Sequence, residues 1–208
     1  GDRHLFADYP ICLNIGGIAN VSYEMNDKRI AFDICMANQL LNYLANKLGY
    51  DYDNNGQFAK QGKVNMELLD ILNSNEYYKQ DAPKSLGREF FENVQHKVID
   101  ESSLSICDLL ATATEHIAHQ IVKSTDMLDK SKMLVTGGGA KNDFLVERIS
   151  ALSKHEIIVP DVMITDYKEA LIFAFLGVLK MEGKINVLSS VTGASSDSSS
   201  GTIYQIES

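Results

Sequence analysis

The stretch ICLNIGGIANVSYEMNDKRIAFDIC, residues 11–35, decides the fold of this chain. It consists of three short segments rich in β-branched and aromatic residues. Gly16 and Gly17 join the first segment to the second, and the polar residues NDKR join the second to the third. Short apolar segments connected in this way are typical of β-hairpins. The stretch therefore predicts a three-stranded antiparallel meander.

The middle of the chain has the apolar spacing of helices. In ANQLLNYLANKLG, residues 37–49, leucines recur at helical spacing and Gly49 stands where a C-cap is expected. The polar, glycine-containing residues 50–65 predict a loop or an interrupted helix. Further helices are predicted in MELLDILNS, from about Leu86 onward, and in SLSICDLLATATEHIAHQIVKSTDML.

After Lys132 the pattern alternates between short strands and helices. KMLVT and EIIVP predict strands, DFLVERISALS predicts the helix between them, and YKEALIFAFLGVLKMEG predicts the last helix. Such alternation indicates parallel strands with crossover helices, so the fold class is α/β with a mixed sheet flanked by helices. The last helix is apolar on nearly every side from Ala170 to Leu179, and we expect it to be buried in the middle of the domain. A serine-rich loop at 195–200 precedes a predicted short final strand.

Composition narrows the classes of function. With 208 residues, 45% of them hydrophobic, the chain can bury a sizeable core. The net charge is −9 and the basic residues are scattered, which argues against a nucleic-acid partner. The sequence has no apolar run of membrane-spanning length and only three widely spaced cysteines, and its first residues, GDRHLFADYP, do not have the basic and then apolar pattern expected of a signal peptide. We therefore expect a cytoplasmic protein with buried thiols and no membrane partner.

Two glycine loops are the candidate ligand sites. Gly137, Gly138 and Gly139 follow a predicted strand, but their spacing matches neither a P-loop nor a Rossmann motif. They are expected to form a tight turn with Asn142 or Asp143 as helix N-cap. Backbone amides at such a place can also bind an oxyanion or a hydroxyl-rich ligand, and this interpretation is favoured because three glycines exceed what one turn requires.

The other loop is the pair Gly16 and Gly17, with Asn14 and Asn20 on either side. A two-residue glycine turn is an ordinary hairpin connection, but flanking polar side chains are also what a phosphate-gripping hairpin would have. Both interpretations stay open on these residues alone.

Two further features are ambiguous. Glu169, near the start of the predicted last helix, is either an N-terminal charge favoured by the helix dipole or an acid that faces a ligand. His116 and His119 share one helix face, where we expect partly exposed histidines rather than metal ligands. No structural metal site is predicted.

The ordered set of motifs resembles one family. LNIGGIANVS, FDICMAN, PKSLGRE, LVTGGGAKNDFL, KEALIFAFLG and VTGAS occur in this order. In order and spacing they resemble the C-terminal portion of the anhydro-N-acetylmuramic acid kinases, members of the sugar kinase, Hsc70 and actin fold group. The resemblance extends from Gly1 to Ser208. It implies that residues 1–208 are the C-terminal lobe of a two-lobed ribonuclease H-like (actin-like ATPase) fold, with ATP between the lobes and the sugar in the same cleft.

The resemblance also implies roles for residues. The nucleotide-binding set would be Gly16, Gly17 and Asn20 at a phosphate hairpin, with Gly137, Gly138, Gly139 and Asn142 beside the adenosine. The sugar-binding set would be Asp33, Asn38 and Glu169. The implied reaction transfers the γ-phosphoryl group of ATP, with Mg²⁺, to O6 of 1,6-anhydro-N-acetylmuramic acid while water opens the anhydro bridge. The product is N-acetylmuramic acid 6-phosphate, an intermediate of peptidoglycan recycling, and homodimerisation is left open.

Two departures limit this transfer of function. The family's first phosphate loop and its aspartate base precede the segment that matches GDRHLF, so residues 1–208 alone are not expected to catalyse the reaction. The family motif FDTGPGN is FDICMAN here, and bulkier Cys35 and Met36 are expected to close space that glycine would leave to a ligand. A non-catalytic ligand-binding paralogue, or a phosphotransferase acting on another small molecule, is therefore the alternative.

Overall fold

A five-stranded mixed sheet organises the chain, and the computed structural model describes residues 1–204 of it. The strands are β1 (Ile11–Ile15), β2 (Ile18–Met25), β3 (Lys28–Met36), β4 (Lys132–Thr136) and β5 (Glu156–Ile158). Their order in the sheet is β3-β2-β1-β4-β5. The first three strands pair antiparallel, whereas β4 lies parallel to both β1 and β5. The predicted meander and the predicted parallel strands are both confirmed.

Helices cover both faces of this sheet. They are α1 (Asp2–Leu5), α2 (Asn38–Asn46), α3 (Met66–Asn73), α4 (Arg88–Phe90), α5 (His96–Asp100), α6 (Ile106–Thr125), α7 (Asp143–Leu152), α8 (Val162–Met181) and α9 (Ser189–Thr192). A π-helical turn, Phe91–Gln95, joins α4 to α5, and two 3-10 turns interrupt the stretch 50–65 as predicted. Side-chain oxygens cap the long helices: Ser105 accepts from the Asp108 N–H at the start of α6, and Asp161 accepts from the Ile164 N–H at the start of α8.

Alternate residues of the central strand point to opposite faces of the sheet. Ile11, Leu13 and Ile15 of β1 belong to the large core formed with α2, α6 and α7, which we call the closed face. Cys12 of β1 and Leu134 of β4 belong to a smaller cluster formed with α1 and α8, which we call the open face. The side chains of β1 alternate between the two faces of the sheet, and each face packs against its own layer of helices.

The closed face is packed by the inner side of α6. Leu110, Ala113, Ile117 and Ile121 are fully buried there. Burial of one such large apolar side chain contributes about 1.5–3 kcal/mol. Helices α6 and α7 are also joined by two hydrogen bonds, which Arg148 of α7 donates to the Glu115 carboxylate of α6 at 2.7 and 3.0 Å.

A buried polar network also lies on the closed face and is centred on His116. Asn73 Oδ1 can only accept, so the Nδ1–H of His116 donates to it over 2.7 Å. Nε2 of His116 then accepts from the Tyr78 hydroxyl at 3.2 Å, and Gln95 of the π turn donates to that hydroxyl oxygen. Burial lowers the pKa of His116 to about 3, so the ring is neutral. The prediction of a partly exposed His116 is therefore wrong, although His119 is exposed.

The open face differs from the sequence prediction at α8. The helix begins at Val162 rather than at Tyr167, and Thr165 and Lys168 are its only buried residues. Phe173 is 65% exposed and Met181 is 79% exposed. The predicted burial is wrong because one side of α8 packs on the sheet, while nothing in residues 1–204 covers the other side. None of the described helices combines the length and apolarity that crossing a membrane needs.

The C-terminal segment is mostly irregular. Residues 195–200 are exposed, with a single antiparallel bridge between Val187 and Ser198. Residues 201–204 have no regular structure, and the rest of the predicted final strand, residues 205–208, lies outside the described part of the chain.

Candidate functional site

Two cavities meet at the glycine loop that follows β4. The first has a volume of about 540 Å³ and is walled by loop 52–55, α2 and the turn Gly138–Lys141. We call it the amide cavity because five of its lining residues are asparagines, namely Asn38, Asn42, Asn54, Asn55 and Asn142. The second, of about 420 Å³, lies between the Gly16 hairpin and α8. We call it the charged cavity because Asp2, Asp166, Lys168 and Glu169 line it. Gly138 lines both cavities.

The hairpin at Gly16 and Gly17 is tied to the start of α2. The carbonyl oxygen of Gly17 accepts from the N–H groups of Ala37 and Gln39, at 2.8 and 3.2 Å. The carbonyl oxygen of Gly16 accepts from the Asn38 N–H at 3.1 Å. The hairpin thus satisfies donors at the N-terminus of α2 that no intrahelical partner serves.

Two glycines of the second loop are required by packing. Gly137 has φ of 85°, and a Cβ there would lie 2.7 Å from Asn14 Oδ1 and 2.8 Å from the Ile15 carbonyl oxygen. A Cβ on Gly139 would overlap the buried Ile15 side chain. The tight-turn interpretation of this loop is therefore correct for Gly137 and Gly139.

The remaining loop glycines are not required by the described chain. A Cβ would lie 3.5 Å from its nearest neighbour at Gly16, 3.9 Å at Gly17 and 3.4 Å at Gly138, which are ordinary contact distances. None of the three has a positive φ. Bare backbone at these positions leaves room for a ligand rather than for another part of the chain.

The charged cavity contains a buried ion pair. Lys168 Nζ lies 2.9 Å from Asp2 Oδ1, and the Ser22 hydroxyl donates to Asp2 Oδ2 at 2.5 Å. Arg29 donates in turn to the Ser22 hydroxyl oxygen at 2.8 Å. Burial raises the pKa of Asp2, but Lys168, Ser22 and Arg29 outweigh burial and leave that pKa below its usual value. Asp2 is therefore ionised at neutral pH.

Glu169 lies in the wall of this cavity and is exposed. Because α8 begins at Val162, Glu169 stands in the second to third turn of the helix, and the helix dipole is not the reason for its position. The helix-dipole interpretation of Glu169 therefore does not fit, and the ligand-facing role stays a prediction.

The remaining predicted site residues are not all brought together. Asn20 lines the charged cavity with Gly16 and Gly137. Asn38 lines the amide cavity instead, where its amide donates to the Ile15 carbonyl oxygen at 3.2 Å. Asp33 lines neither cavity, and its carboxylate accepts from the Leu86 N–H at 2.9 Å. Asp33 thus fixes the PKSLGRE segment against β3.

Cys35 and Met36 do not fill either cavity. Both side chains are fully buried in the closed-face core. The expectation that they close a ligand site therefore finds no support in the geometry. For metals, residues 1–204 contain no group of three or more His, Cys, Asp or Glu side chains placed to hold an ion.

Comparison with known proteins gives the family. The family model described as anhydro-N-acetylmuramic acid kinase matches residues 4–206 of the chain. The chain belongs to the anhydro-N-acetylmuramic acid kinase family. A kinase of this name from Pasteurella multocida is 35% identical over 207 residues, covering 95% of this chain and 55% of the relative. The Vibrio cholerae kinase is 35% identical over 204 residues, with 93% and 55% coverage. The chain thus spans about half the length of the curated kinases it matches.

Solved structures show the actin-like ATPase fold. The activator of 2-hydroxyisocaproyl-CoA dehydratase from Clostridium difficile, with bound ADPNP, superposes with a TM-score of 0.52 at 20% identity, covering 84% of this chain and 63% of that one. Component A of (R)-2-hydroxyglutaryl-CoA dehydratase from Acidaminococcus fermentans gives a TM-score of 0.52 at 16% identity, with 80% and 60% coverage. The predicted fold class is confirmed.

Sequence reasoning missed several cavity residues. Asp2 and Lys168 are separated by almost the whole chain, and no local pattern joins them. Tyr52, Asn54 and Asn55 lie in a stretch predicted as a loop or an interrupted helix, with no ligand role assigned to them. The one usable signal was the position of Lys168 directly before Glu169 in the kinase family motif KEALIFAFLG.

Proposed function

We propose that this chain is the C-terminal, nucleotide- and sugar-binding lobe of an ATP-dependent kinase that phosphorylates 1,6-anhydro-N-acetylmuramic acid. The observation that carries the proposal is the meeting of two cavities at Gly138, beside glycines whose missing side chains the chain itself does not require. Membership of the kinase family supports the choice of reaction.

In this proposal the nucleotide lies over Gly138, with one part in each cavity. Its phosphates contact the hairpin at Gly16 and Gly17, and its adenosine occupies the amide cavity beside Asn142. Two features support this order: the hairpin lines the charged cavity, and Asn142 lines the amide cavity. The place of Asn38 in the amide cavity favours a nucleotide-side role for it over the sugar-side role implied by the resemblance.

The sugar occupies the charged cavity, where Glu169 accepts hydrogen bonds from its hydroxyl groups. Asp2 is less suited to this task because Lys168 and Ser22 already engage its two oxygens. Lys141 engages the Asp166 carboxylate at 2.6 Å, which leaves Glu169 as the carboxylate of this wall without an ion-pair partner in residues 1–204. Hydroxyl recognition by a free carboxylate gives short, charge-assisted hydrogen bonds.

Mg²⁺ would arrive with the nucleotide and neutralise charge on its phosphates. Such an ion keeps several water ligands and needs only one or two protein carboxylates. Within residues 1–204 the other carboxylates of this wall, Asp2 and Asp166, are already paired with lysines, so the proposal takes the protein ligands of the ion from the second lobe.

The proposal assigns the remaining catalytic groups to a second lobe. Two observations support a second lobe: α8 presents a bare apolar side, and the chain spans 55% of the length of its relatives. In the proposed reaction, a carboxylate of that lobe takes a proton from water as the water oxygen bonds to C1 of the sugar. The C1–O6 bond breaks and O6 takes the γ-phosphoryl group, leaving ADP. Cytoplasmic location and homodimerisation stay predictions.

The test uses the full-length protein that contains this chain. With ATP, Mg²⁺ and the anhydro-sugar, we expect sugar-dependent ADP release and a phosphorylated, ring-opened product by mass spectrometry. Glu169→Gln is expected to lower kcat/KM for the sugar by about 10–1,000-fold, since it removes a charge-assisted contact. Glu182→Gln, at the far end of α8, is the matched control and should retain activity. Absence of sugar-dependent ADP release from the folded parent would remove the proposal.

A further inference from the structure

Half of the polar side chains that line the amide cavity are already engaged by the chain itself. Both carboxylate oxygens of Asp53 accept backbone N–H groups, from Phe58 and Ala59, each at 2.9 Å. Lys141 is paired with Asp166, and the Oδ1 of Asn142 accepts from the Leu145 N–H as a helix cap. These groups hold the cavity wall in place and are not free to select a ligand.

Three carboxamides remain in the wall. Asn42, Asn54 and Asn55 are exposed, and within residues 1–204 none of their side chains makes a hydrogen bond. Beside them, the ring of Tyr52 is 60% exposed and offers an apolar surface on which a flat base can lie. The groups available to read a base are therefore amides, one on α2 and two on loop 52–55, with no unpaired charge among them.

A carboxamide does not distinguish the two purine edges. Adenine presents a donor at N6 and an acceptor at N1, whereas guanine presents an acceptor at O6 and a donor at N1. An asparagine has both a donor and an acceptor, and a half-turn of the amide exchanges their positions. Each of these exposed side chains can therefore match either purine.

We propose that the amide cavity accepts guanine about as well as adenine, so that the kinase uses GTP as well as ATP as its phosphoryl donor. This inference rests on the proposed function and adds which nucleotides can serve as the phosphoryl donor. The base takes no part in the bonds that change: the bond from the γ-phosphorus to the β–γ bridging oxygen breaks, and the bond from that phosphorus to the acceptor oxygen forms.

The free energies of single hydrogen bonds support weak discrimination between adenine and guanine. One net hydrogen bond contributes about 0.5–1.5 kcal/mol, which corresponds to about a tenfold ratio at most. Rejection by factors of about 10⁴ requires buried polar groups that the wrong ligand leaves unpaired. The three asparagines are exposed, so water satisfies them whichever base is bound. Pyrimidines cover less of the Tyr52 ring and are expected to bind more weakly than either purine.

The experiment measures kcat/KM of the full-length protein for ATP, GTP and UTP, with saturating anhydro-sugar and Mg²⁺. A GTP value within about tenfold of the ATP value, with UTP lower than both, supports the inference. Activity with ATP accompanied by a GTP value more than about tenfold lower overturns the inference and leaves the proposed function intact. If ATP itself supports no turnover, the proposed function fails, and the ratio of the GTP and ATP dissociation constants decides the inference by the same tenfold limit.

Variants test whether the amides are the groups that read the base. A carboxylate only accepts hydrogen bonds, so it favours guanine, whose N1 and N2 both donate. We expect at least one of Asn42→Asp, Asn54→Asp and Asn55→Asp to raise the GTP-to-ATP ratio by about fivefold or more. Gln57→Glu adds the same charge to an exposed amide of the same loop that does not line the cavity, and it should leave the ratio unchanged. If all three variants behave like this control, the cavity does not hold the base.

Discussion

The two faces of the sheet differ in how their apolar residues are used. On the closed face, Leu110 and Ile117 of α6 are completely buried, and even the imidazole of His116 is enclosed with partners for both nitrogens. On the open face, α8 is the most apolar long helix, yet Phe173 and Met181 face outward. The chain itself covers the closed face, whereas apolar side chains on the open face stay exposed. The apolar content of a helix therefore does not say whether its own domain buries it.

The largest expected effect is the difference in free energy of unfolding between a substitution on the closed face and one on the open face. Leu110→Ala on the closed face is expected to lower the free energy of unfolding by about 2–5 kcal/mol, because it opens a cavity in a packed core. Phe173→Ala on the open face should change it by less than about 0.5 kcal/mol in this chain, since the side chain is mostly in water. Denaturant titration of both variants measures the difference. Equal losses would show that the other side of α8 is covered in solution.

The second prediction concerns the glycine loop, which lies where the two cavities meet. Gly139→Ala should destabilise the fold by about 1–3 kcal/mol, because the added methyl group overlaps Ile15 of the closed-face core. Gly138→Ala should leave stability almost unchanged and instead weaken nucleotide binding by the full-length protein. Thermal denaturation and calorimetry separate these outcomes. A stability loss of the same size in both variants would contradict the assignment of Gly138 to ligand contact.

The third prediction tests the buried network of the closed face. Tyr78→Phe removes the hydroxyl group that donates to His116 and accepts from Gln95. We expect a loss of about 1–2 kcal/mol in the free energy of unfolding, since His116 Nε2 and Gln95 Nε2 lose the hydroxyl group between them and keep only their own 3.4 Å contact, while the aromatic packing stays. Tyr52→Phe, which alters an exposed ring, is the matched control and should be neutral. A neutral Tyr78→Phe would mean that water reaches the network.

The smallest expected effect lies in the charges of the open face. The folded pKa of Asp2 is below its ordinary value of 3.8, so the carboxylate contributes stability above that pH, and the contribution is lost as pH falls through the folded pKa. Asp2→Asn should therefore be less stable than the parent at pH 7, with the difference shrinking below about pH 3.8. Asp8→Asn, at an exposed position, should show no such pH-dependent difference. A difference that stays constant with pH would assign the effect to packing instead of charge.

Local sequence predicted most of the framework. The short β-branched and aromatic segments in residues 11–35 specified the meander, and helical apolar spacing specified α6. The α8 start was missed because VMITD contains β-branched residues and an aspartate, which by themselves indicate a chain between elements rather than a first helical turn. Asp161 as N-cap was the overlooked signal. The burial of His116 and the exposure of Phe173 depend on surfaces distant in sequence, which no local window contains.

The glycine loops of the two cavities were predicted from the sequence, as were the lining residues Asn20, Asn142 and Glu169. The glycine loops are visible in the sequence because glycine is distinctive wherever a chain must stay bare. The loop 52–55 was not, since exposed asparagines occur in any polar turn. Lys168 and Asp2 form their ion pair across almost the full chain, so their relation follows from the closure of the fold and not from spacing.

The hydrogen bonds between the Gly16–Gly17 carbonyls and the start of α2 have a mechanical consequence. They join the hairpin of one cavity to the helix that carries Asn38 and Asn42 in the wall of the other. A displacement of the hairpin therefore carries the start of α2 with it. Under the proposed function, this coupling would hold the phosphate end and the adenosine end of a nucleotide at a nearly fixed spacing.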